Sequence, residues 1–251
     1  MHKSKAKVIC KLLMPSLLLI NRDKTLEIHK HIYKHSEVYM RYKGVIFDLD
    51  GVICSTDEFH YKAWKKMANR IGIPFDRQIN QRLRGVSRMA SLEIILEKSQ
   101  KKYSDTEKER LASEKNETYR SLLLSMTPDD LSPEVLSTLY SLKSRGLRLA
   151  IGSSSKNTKT ILKQLGLSGF FDAVSDGTNI TRSKPDPQVF LMAAGMIMLK
   201  PSECLVVEDA KAGIDAAAAG GFESAGIQTA ADYKKSTWRL KTFSDLLEIC
   251  R

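Results

Sequence analysis

The sequence VIFDLDG at residues 45–51 decides the fold class of this 251-residue chain. Three large apolar residues, typical of a buried β-strand, end in two aspartates and a glycine. Alternate residues of an extended chain point to the same side, so Asp48 and Asp50 are expected to face one cleft. Gly51 allows the backbone to turn sharply after them. The two carboxylates can have different roles, because one can act as a nucleophile while its neighbour transfers a proton. The plainer alternative is an Asx turn at a strand end.

Two further apolar runs end in polar residues in the same way. The run LRLAI at residues 147–151 leads into a glycine and three serines, and CLVV at residues 204–207 leads into Glu208 and Asp209. Helical periodicity follows the three apolar runs, over residues 58–70, 156–165 and 210–219. Buried strands that alternate with helices are typical of a parallel sheet covered on both faces. The predicted fold class is therefore α/β, with a doubly wound parallel sheet.

A long helical segment separates the first strand from the second. Residues 56–130 show helical periodicity and no strand pattern. A crossover between parallel strands needs only about a dozen residues, so this insertion is long enough to form a helical cap of its own. The predicted organisation is an α/β core made of residues 40–55 and 131–251, with the cap inserted at residues 56–130.

Residues 1–39 differ from the rest of the chain. They carry eight basic and three acidic residues and one apolar run, at residues 8–20, which Lys11 and Pro15 interrupt. The run is too short to cross a bilayer, and no small-residue cleavage site follows it. We expect a poorly ordered basic extension rather than a signal peptide or a membrane anchor. A second hypothesis is that synthesis starts at Met40, directly before the first strand.

Composition and charge limit the possible classes of function. With 42% hydrophobic and 27% charged residues, the chain has the composition of a soluble globular protein. The net charge is +11, but outside residues 1–39 the basic residues form no run and are not interleaved with aromatic residues. We therefore expect no nucleic-acid partner and no membrane partner, but a preference for phosphorylated small molecules. Four widely separated cysteines without a CxxC pair favour the cytoplasm over an oxidising compartment. A monomer is expected.

Acidic residues at two predicted strand ends indicate a divalent metal ion. The carboxyl ends of parallel strands meet at one edge of the sheet, so Glu208 and Asp209 are expected beside Asp48. Carboxylate oxygens from two chain segments suit Mg²⁺, which keeps several waters and takes few protein ligands. Lys184, which two prolines follow in the sequence SKPDP at residues 183–187, would help to offset the crowded negative charge. The alternative for this lysine is a solvated surface charge.

The polar stretch after the second predicted strand indicates an anion site. It reads Ser153-Ser154-Ser155-Lys156-Asn157 and leads into a predicted helix. Serine hydroxyls and free backbone N–H groups at a helix N-terminus can cradle a phosphate. Ordinary N-capping is the alternative, although it would account for only one of these serines.

These motifs and their order resemble those of haloacid-dehalogenase-like phosphotransferases. The matching elements are the DLD sequence at residues 48–50, Ser153, Lys184 and the Glu208-Asp209 pair. The resemblance implies a Rossmann-like core with an inserted helical cap. Within that superfamily, residues 40–251 are most similar to the β-phosphoglucomutase family. The narrower similarity is carried by Thr56-x-Glu58-x-His60-x-x-Ala63-Trp64, by RGVSR at residues 84–88 and by Lys115-Asn116.

The resemblance implies roles for the matching core residues. Asp48 would be phosphorylated, and Asp50 would be the general acid and base. The Mg²⁺ ligands would be Asp48, Asp209 and the backbone carbonyl of Asp50, with Glu208 close by. Ser153 and Lys184 would hold the transferring phosphoryl group. The distal phosphate would be held by Arg88, Ser155, Lys156 and Asn157.

The resemblance also implies roles for residues of the cap. His60 would couple cap closure to the position of Asp50, while Arg84 and Lys115 would lie on the substrate-gating surface of the cap. The remaining residues expected to contact substrate are Trp64, Gly85 and Ser154. The chain departs from the family pattern at Ser55, Arg84 and Ala210, which bears on hinge kinetics and sugar preference but leaves the chemistry intact.

The predicted function is that of an intramolecular phosphotransferase. It would interconvert β-D-glucose 1-phosphate and glucose 6-phosphate through β-glucose 1,6-bisphosphate and a phospho-aspartyl enzyme, with Mg²⁺ as cofactor. The main alternative is a Mg²⁺-dependent sugar-phosphate or phosphoglycolate phosphatase on the same core. A binding module without catalytic activity is disfavoured, because it would be expected to have lost Asp48, Asp50, Lys184 or Asp209, and all four are present.

Overall fold

The computed structural model of the chain describes residues 40–83 and 87–251. The predictions for the extension at residues 1–39 fall outside this part of the chain, as do those for Arg84 and Gly85. The structure described below is that of the compact unit Arg41–Cys250.

Six parallel strands form a single sheet in this unit. The strands are β1 (Gly44–Phe47), β2 (Arg148–Gly152), β3 (Ala173–Ser175), β4 (Cys204–Glu208), β5 (Glu223–Gly226) and β6 (Trp238–Arg239). Their spatial order is β3-β2-β1-β4-β5-β6, and every neighbouring pair is parallel. The predicted α/β class with a doubly wound parallel sheet is confirmed. The three predicted strands correspond to β1, β2 and β4, whereas β3, β5 and β6 have no counterpart among them.

The strand order brings three strand ends side by side. From β1 the chain winds outward to β2 and β3, and it then returns to the other side of β1 with β4. Phe47, the last residue of β1, is in register with Ile151 of β2 and Val207 of β4. Ligands bind beyond the carboxyl ends of such strands, where the winding direction reverses. Asp48, the first residue after β1, therefore lies where the winding direction reverses.

Helices cover both faces of the sheet. Those of the α/β part are α5 (Pro133–Ser144), α6 (Thr158–Gln164), α7 (Gln188–Met196), α8 (Lys211–Ala219) and α9 (Leu246–Ile249). Alternate residues of β1 point to opposite faces. Ile46 lies in a buried cluster with Phe190 of α7 and Ala217 of α8. The Phe47 ring instead packs against Phe171 and Phe243, with centroids 6.2 Å and 5.7 Å away.

The insertion between β1 and β2 is helical. It contains α1 (Asp57–Arg70), α2 (Arg77–Gln81), α3 (Arg88–Leu96) and α4 (Asp105–Leu123). These helices share their own buried apolar cluster, which includes Trp64, Leu92 and Leu111. Side chains fix several of the helix starts: Ser104 and Glu107 form a capping box at α4, and Asp76 caps α2. The assignment of residues 56–130 as a separate cap domain stays a prediction.

The helix boundaries differ from the predicted ones mainly after β2. The predicted helix at residues 156–165 begins only at Thr158, because the preceding residues form a turn closed by their own side chains. None of the helices in the described part of the chain is both long enough and apolar enough to cross a membrane.

Candidate active site

Three carboxylates and one ammonium group meet at the carboxyl edge of the sheet. Asp48, Glu208 and Asp209 each have an oxygen within 4.8 Å of the other two. Lys184 Nζ lies 2.5 Å from Asp48 Oδ1 and also contacts Glu208 Oε1. Asp48 is only 8% exposed, and Glu208 is fully buried. The structure therefore brings together the residues that the sequence predicted at the ends of β1 and β4, with the predicted lysine beside them.

Two glycines allow these carboxylates to lie so close to the backbone. Gly51 has a φ of +89°, and a Cβ atom there would stand 2.2 Å from Asp209 Oδ2. A Cβ atom on Gly213, in the first turn of α8, would stand 1.9 Å from Glu208 Oε1. Both distances are far below a van der Waals contact, so any larger residue would displace a carboxylate of the site.

The electrostatics of the cluster suit a divalent cation. Burial, followed by the charges of Glu208 and Asp48, raises the pKa of Asp209 to about 8. Burial also raises the pKa of Glu208 to about 6, although the charge of Lys184 opposes this shift. Burial disfavours the charged form of Lys184, but the adjacent Asp48 and Glu208 carboxylates outweigh it and raise the pKa of the ammonium. One lysine does not neutralise three carboxylates, and an oxygen-only donor set of this kind fits Mg²⁺.

The carboxylate of Asp50 is held by the residue that begins the helical insertion. Asp50 Oδ1 accepts a hydrogen bond from Thr56 N at 2.6 Å, and Oδ2 accepts one from Thr56 Oγ1 at 2.7 Å. Thr56 is fully buried and directly precedes α1. Asp50 is thus connected to the helical insertion, while the Asp48 carboxylate pairs with Lys184. The predicted metal ligand from Asp50 is its backbone carbonyl, and this remains a prediction.

The polar turn after β2 is built differently from the predicted anion site. Ser155 N donates to Ser153 Oγ at 3.2 Å, and Asn157 N donates to Ser155 Oγ at 3.1 Å. The prediction that free backbone N–H groups form the cradle is therefore wrong for these two amides, because side chains within the turn already satisfy them. Ser153 and Asn157 are buried, whereas Ser154 and Lys156 are exposed. The hydroxyls and the lysine remain the groups that could hold a phosphate.

Lys115 is buried beside the helices of the insertion, and its expected place on the substrate-gating surface of the cap stays a prediction. The residue is 2% exposed. Its Nζ lies 2.8 Å from His60 Nδ1, and 4.7 Å and 4.8 Å from the rings of Trp64 and Tyr119. These aromatic faces stabilise a buried cation. Burial, followed by the charge of Arg88, lowers the pKa of Lys115 to about 7.

The other residues expected in the cap are placed around Lys115. Trp64 is 3% exposed and belongs to the apolar cluster of the insertion, so it faces Lys115 rather than open solvent. Burial and then the charge of Lys115 lower the pKa of His60. Arg88, the exposed first residue of α3, lies near enough for its charge to affect both groups.

Tyr119 belongs to this cluster, although the sequence analysis did not include it. Its hydroxyl donates to Thr56 Oγ1 at 3.0 Å, and its ring stacks on His60 with centroids 4.0 Å apart. Burial raises the pKa of the phenol, so the hydroxyl keeps its proton. The spacing could have revealed it: Tyr119 is four residues after Lys115 in α4 and therefore lies on the same helix face.

Several known proteins are similar to this chain. A β-phosphoglucomutase from Bacillus subtilis is 44% identical over 187 residues, which cover 74% of this chain and 83% of that protein. A fructose-1-phosphate phosphatase from Escherichia coli is 35% identical over 195 residues, covering 76% and 99% of the two chains. The crystal structure of a β-phosphoglucomutase from Clostridium difficile is 40% identical and superposes with a TM-score of 0.74. That comparison covers 82% of this chain and 93% of the other.

The model of one protein family matches most of the described chain. Its description is haloacid dehalogenase-like hydrolase, and the match extends over residues 42–221. The predicted resemblance to this superfamily, and within it to β-phosphoglucomutases, is confirmed. From the sheet topology, the acidic cluster at its switch point and these similarities, we conclude that the chain belongs to the haloacid dehalogenase-like hydrolase family.

Proposed function

We propose that this protein is a β-phosphoglucomutase that interconverts β-D-glucose 1-phosphate and glucose 6-phosphate. The observation that carries the proposal is the placement of Asp48 against Lys184 at the switch point of the sheet, in a chain 44% identical to a protein of that name. In the proposed cycle, phospho-Asp48 phosphorylates β-glucose 1-phosphate to β-glucose 1,6-bisphosphate. The bisphosphate then returns its 1-phosphoryl group to Asp48 and leaves as glucose 6-phosphate.

Asp48 is the proposed nucleophile and phosphoryl carrier. In the transfer to sugar, the bond between phosphorus and the Asp48 oxygen breaks as a bond from phosphorus to the sugar hydroxyl oxygen forms. Lys184 lies 2.5 Å from Asp48 and offsets negative charge on the carboxylate and on the phosphoryl oxygens. Ser153, buried directly after β2, would donate a hydrogen bond from its hydroxyl to the same phosphoryl group.

Mg²⁺ is the proposed cofactor. The carboxylates of Asp48 and Asp209 and the backbone carbonyl of Asp50 would hold it, with Glu208 close by. When bound, the ion would neutralise charge on the phosphoryl group and orient it toward the attacking oxygen. The raised pKa of Asp209 supports a cation here, because the protein alone does not compensate the charge of these carboxylates.

Asp50 is the proposed general acid and base. It would take the proton of the attacking sugar hydroxyl and return it to the departing sugar oxygen in the reverse direction. Both oxygens of Asp50 accept hydrogen bonds from Thr56, which is in turn bonded to Tyr119 of α4. Movement of the helical insertion would therefore change the position of Asp50.

The second phosphate of the substrate would be held away from the reacting centre. The proposed contacts are Arg88, Ser155, Lys156 and Asn157, and Arg84, Gly85 and Ser154 are further proposed substrate-binding residues. His60 and Lys115 would act from within the cap, where Lys115 is buried against Trp64 and Tyr119 and the His60 ring stacks on Tyr119. A mutase must keep water from phospho-Asp48, and a cap that closes only when a sugar phosphate places its phosphate in the distal site would do this.

A phosphatase acting on small sugar phosphates is the second candidate. It is supported by the 35% identity to a protein named as a fructose-1-phosphate phosphatase, almost all of which is covered. The two activities differ only in whether a sugar hydroxyl or water attacks phospho-Asp48. The same aspartates, lysine and metal would serve both reactions.

A coupled assay separates the two candidates. The purified chain is given each anomer of glucose 1-phosphate with Mg²⁺ and a trace of bisphosphate, and glucose 6-phosphate and inorganic phosphate are both measured. Formation of glucose 6-phosphate from the β anomer with little phosphate release supports the mutase. Stoichiometric phosphate release without the isomer would overturn it in favour of the phosphatase.

We also propose a cytoplasmic monomer. Thiols stay reduced in that compartment, which suits the buried, free Cys54 and Cys204. Light scattering of the purified chain tests the oligomeric state, and cell fractionation tests the location.

A further inference from the structure

We propose that the loop after β5 braces the metal-binding edge of the site, and that Gln228 and Thr229 are positioning residues that set the affinity for Mg²⁺. This inference rests on the proposed Mg²⁺ site, and it concerns residues that would not themselves touch the ion. We call residues 227–229 the brace.

Each of the three residues of the brace donates a hydrogen bond to a backbone carbonyl of the site. Ile227 N donates to the carbonyl oxygen of Glu208 at 2.9 Å. Gln228 Nε2 donates to the carbonyl oxygen of Gly51 at 2.8 Å, and Thr229 Oγ1 donates to that of Asp209 at 2.5 Å. These carbonyls come from two separate segments, one after β1 and one at the end of β4. The brace therefore connects the two segments that carry the proposed metal ligands.

Those two segments are packed together without free space. The Gly51 α-carbon faces the Asp209 carboxylate so closely that a single added carbon would lie 2.4 Å from Asp209 Cγ. Gly51 also directly follows Asp50, whose backbone carbonyl is a proposed ligand. A small shift of either segment would change the distances between the metal-binding oxygens. Mg²⁺ requires near-ideal octahedral geometry at short distances, so it is sensitive to such shifts.

The backbone at Gln228 supports a positioning role. Its φ of +52° lies in the left-handed region, which glycine enters freely and other residues enter at a cost. The conformation directs the side chain of a long polar residue toward Gly51, where glycine could make no such bond. The loop is fixed on its other side by Ser236, whose hydroxyl donates to the Ala230 carbonyl at 3.0 Å.

Both side chains can be replaced without disturbing the core. Gln228 and Thr229 are exposed, so replacing them opens no cavity in the core. Gln228→Met keeps the length of the side chain and removes its donor, and Thr229→Val keeps the shape and removes the hydroxyl. Thr229→Ser retains the hydroxyl and serves as a rescue. Gln164→Met is the matched control, because Gln164 Nε2 also donates to a backbone carbonyl, that of Leu124, at 2.9 Å.

The experiment measures Mg²⁺ affinity apart from catalysis. The dissociation constant of Mg²⁺ is obtained from the Mg²⁺-dependent rise in unfolding temperature of each full-length variant without substrate. We expect about threefold to tenfold weaker binding for each single brace variant and a larger loss for the double variant. Gln164→Met and Thr229→Ser should bind Mg²⁺ like the wild type. In turnover assays, the Mg²⁺ concentration for half-maximal rate should rise more than the maximal rate falls.

The outcomes separate the brace from the proposed function. If wild type and both brace variants bind Mg²⁺ equally, the positioning role of the brace is refuted, while the proposed metal site is supported. A fall in unfolding temperature without loss of Mg²⁺ affinity would also refute it, because the side chains would then serve stability alone. If the wild type shows no saturable Mg²⁺ binding, the proposed Mg²⁺-dependent function is refuted, and so is the positioning role of the brace. Should Gln228→Met not fold, the comparison of Thr229→Val with Thr229→Ser decides the question.

Discussion

Thr56 donates two hydrogen bonds to the Asp50 carboxylate, from its backbone N–H to Oδ1 at 2.6 Å and from its hydroxyl to Oδ2 at 2.7 Å. A single residue at the start of the helical insertion therefore fixes both oxygens of the proposed acid and base. The proposed proton transfer depends on how this carboxylate is oriented, and the orientation is set from outside the α/β sheet.

Thr56→Val should impair transfer to sugar more than formation of phospho-Asp48. The substitution keeps the backbone donor and the side-chain shape but removes the hydroxyl bond to Asp50. We expect the mutase rate to fall about tenfold or more, while phosphorylation of Asp48 by acetyl phosphate, measured after rapid quenching, changes less, because the acetate leaving group needs no proton from Asp50. Equal losses in both steps would contradict a role for Thr56 through Asp50. Thr242→Val, which removes a hydroxyl bond to the carboxylate of Asp245 outside the site, tests the general effect of losing a threonine hydroxyl.

Tyr119→Phe tests the next link in the same chain of hydrogen bonds. The phenylalanine ring keeps the stacking on His60 and the contact with Lys115, so only the hydroxyl bond to Thr56 is lost. We expect about a threefold to tenfold lower ratio of isomer formed to phosphate released, because Thr56 and Asp50 are held less firmly. Tyr61→Phe removes a tyrosine hydroxyl elsewhere in the insertion, one that accepts from Lys65, and should leave this ratio unchanged. An unchanged ratio in Tyr119→Phe would contradict the link.

Asp48→Asn should abolish turnover. The amide is a poor nucleophile and cannot carry the phosphoryl group, so we expect a loss of about 10⁴-fold or more in both mutase and phosphatase rates. The variant should also bind Mg²⁺ more weakly, as it lacks one carboxylate of the cluster. Asp215→Asn, at a surface ion pair with Lys235, should keep full activity. Substantial turnover by Asp48→Asn would overturn the proposed chemistry.

Arg88→Ala should lower mutase activity far more than hydrolysis. The residue is proposed to bind only the distal phosphate, so its loss removes the preference for sugars that carry a phosphate away from the reacting centre. We expect about a tenfold to hundredfold decrease in kcat/KM for glucose 6-phosphate formation. Hydrolysis of a phosphate ester without a second anionic group should change little. Removal of the Arg88 charge should also raise the pKa of Lys115 toward its ordinary value, which NMR of the lysine side chain can follow.

Stabilisation by Mg²⁺ should increase between pH 6 and pH 8. Burial raises the pKa of Asp209 to about 8, so over this range the folded protein retains a proton that the unfolded chain has released. Without metal, this group makes the free energy of unfolding fall as the pH rises. Mg²⁺ must displace the proton, so its apparent affinity should improve by up to about tenfold per pH unit below pH 8.

The pH experiment is read as a difference between samples with and without Mg²⁺. This removes the contribution of Lys115, whose lowered pKa has the opposite sign and raises stability as the pH increases above about 7. The unfolding temperatures of wild type and Asp209→Asn are compared at each pH. The pH dependence of the Mg²⁺ effect should be much weaker in Asp209→Asn. An equal dependence in both proteins would contradict the assignment to Asp209.

Much of the architecture could be predicted because local sequence and tertiary environment agree there. The strands β1, β2 and β4 are central and buried on both faces, so they read as continuous apolar runs. Strand β5, with the sequence ESAG, and the short strands β3 and β6 lack such runs. They are strands because a neighbouring edge offers backbone hydrogen bonds, which no local pattern encodes.

The sequence by itself determined the α/β class and the acidic residues at the strand ends, because a buried strand must be apolar and the polar residues that follow it must lie at the sheet edge. Only the tertiary structure decided what the side chains meet. It buried Lys115 against two aromatic rings, joined Tyr119 to Asp50 through Thr56, and brought Gln228 to the carbonyl of Gly51. Gln228 and Gly51 are 177 residues apart in the chain. Contacts between residues that lie this far apart in the chain depend on the packing of whole elements, so no local spacing could reveal them.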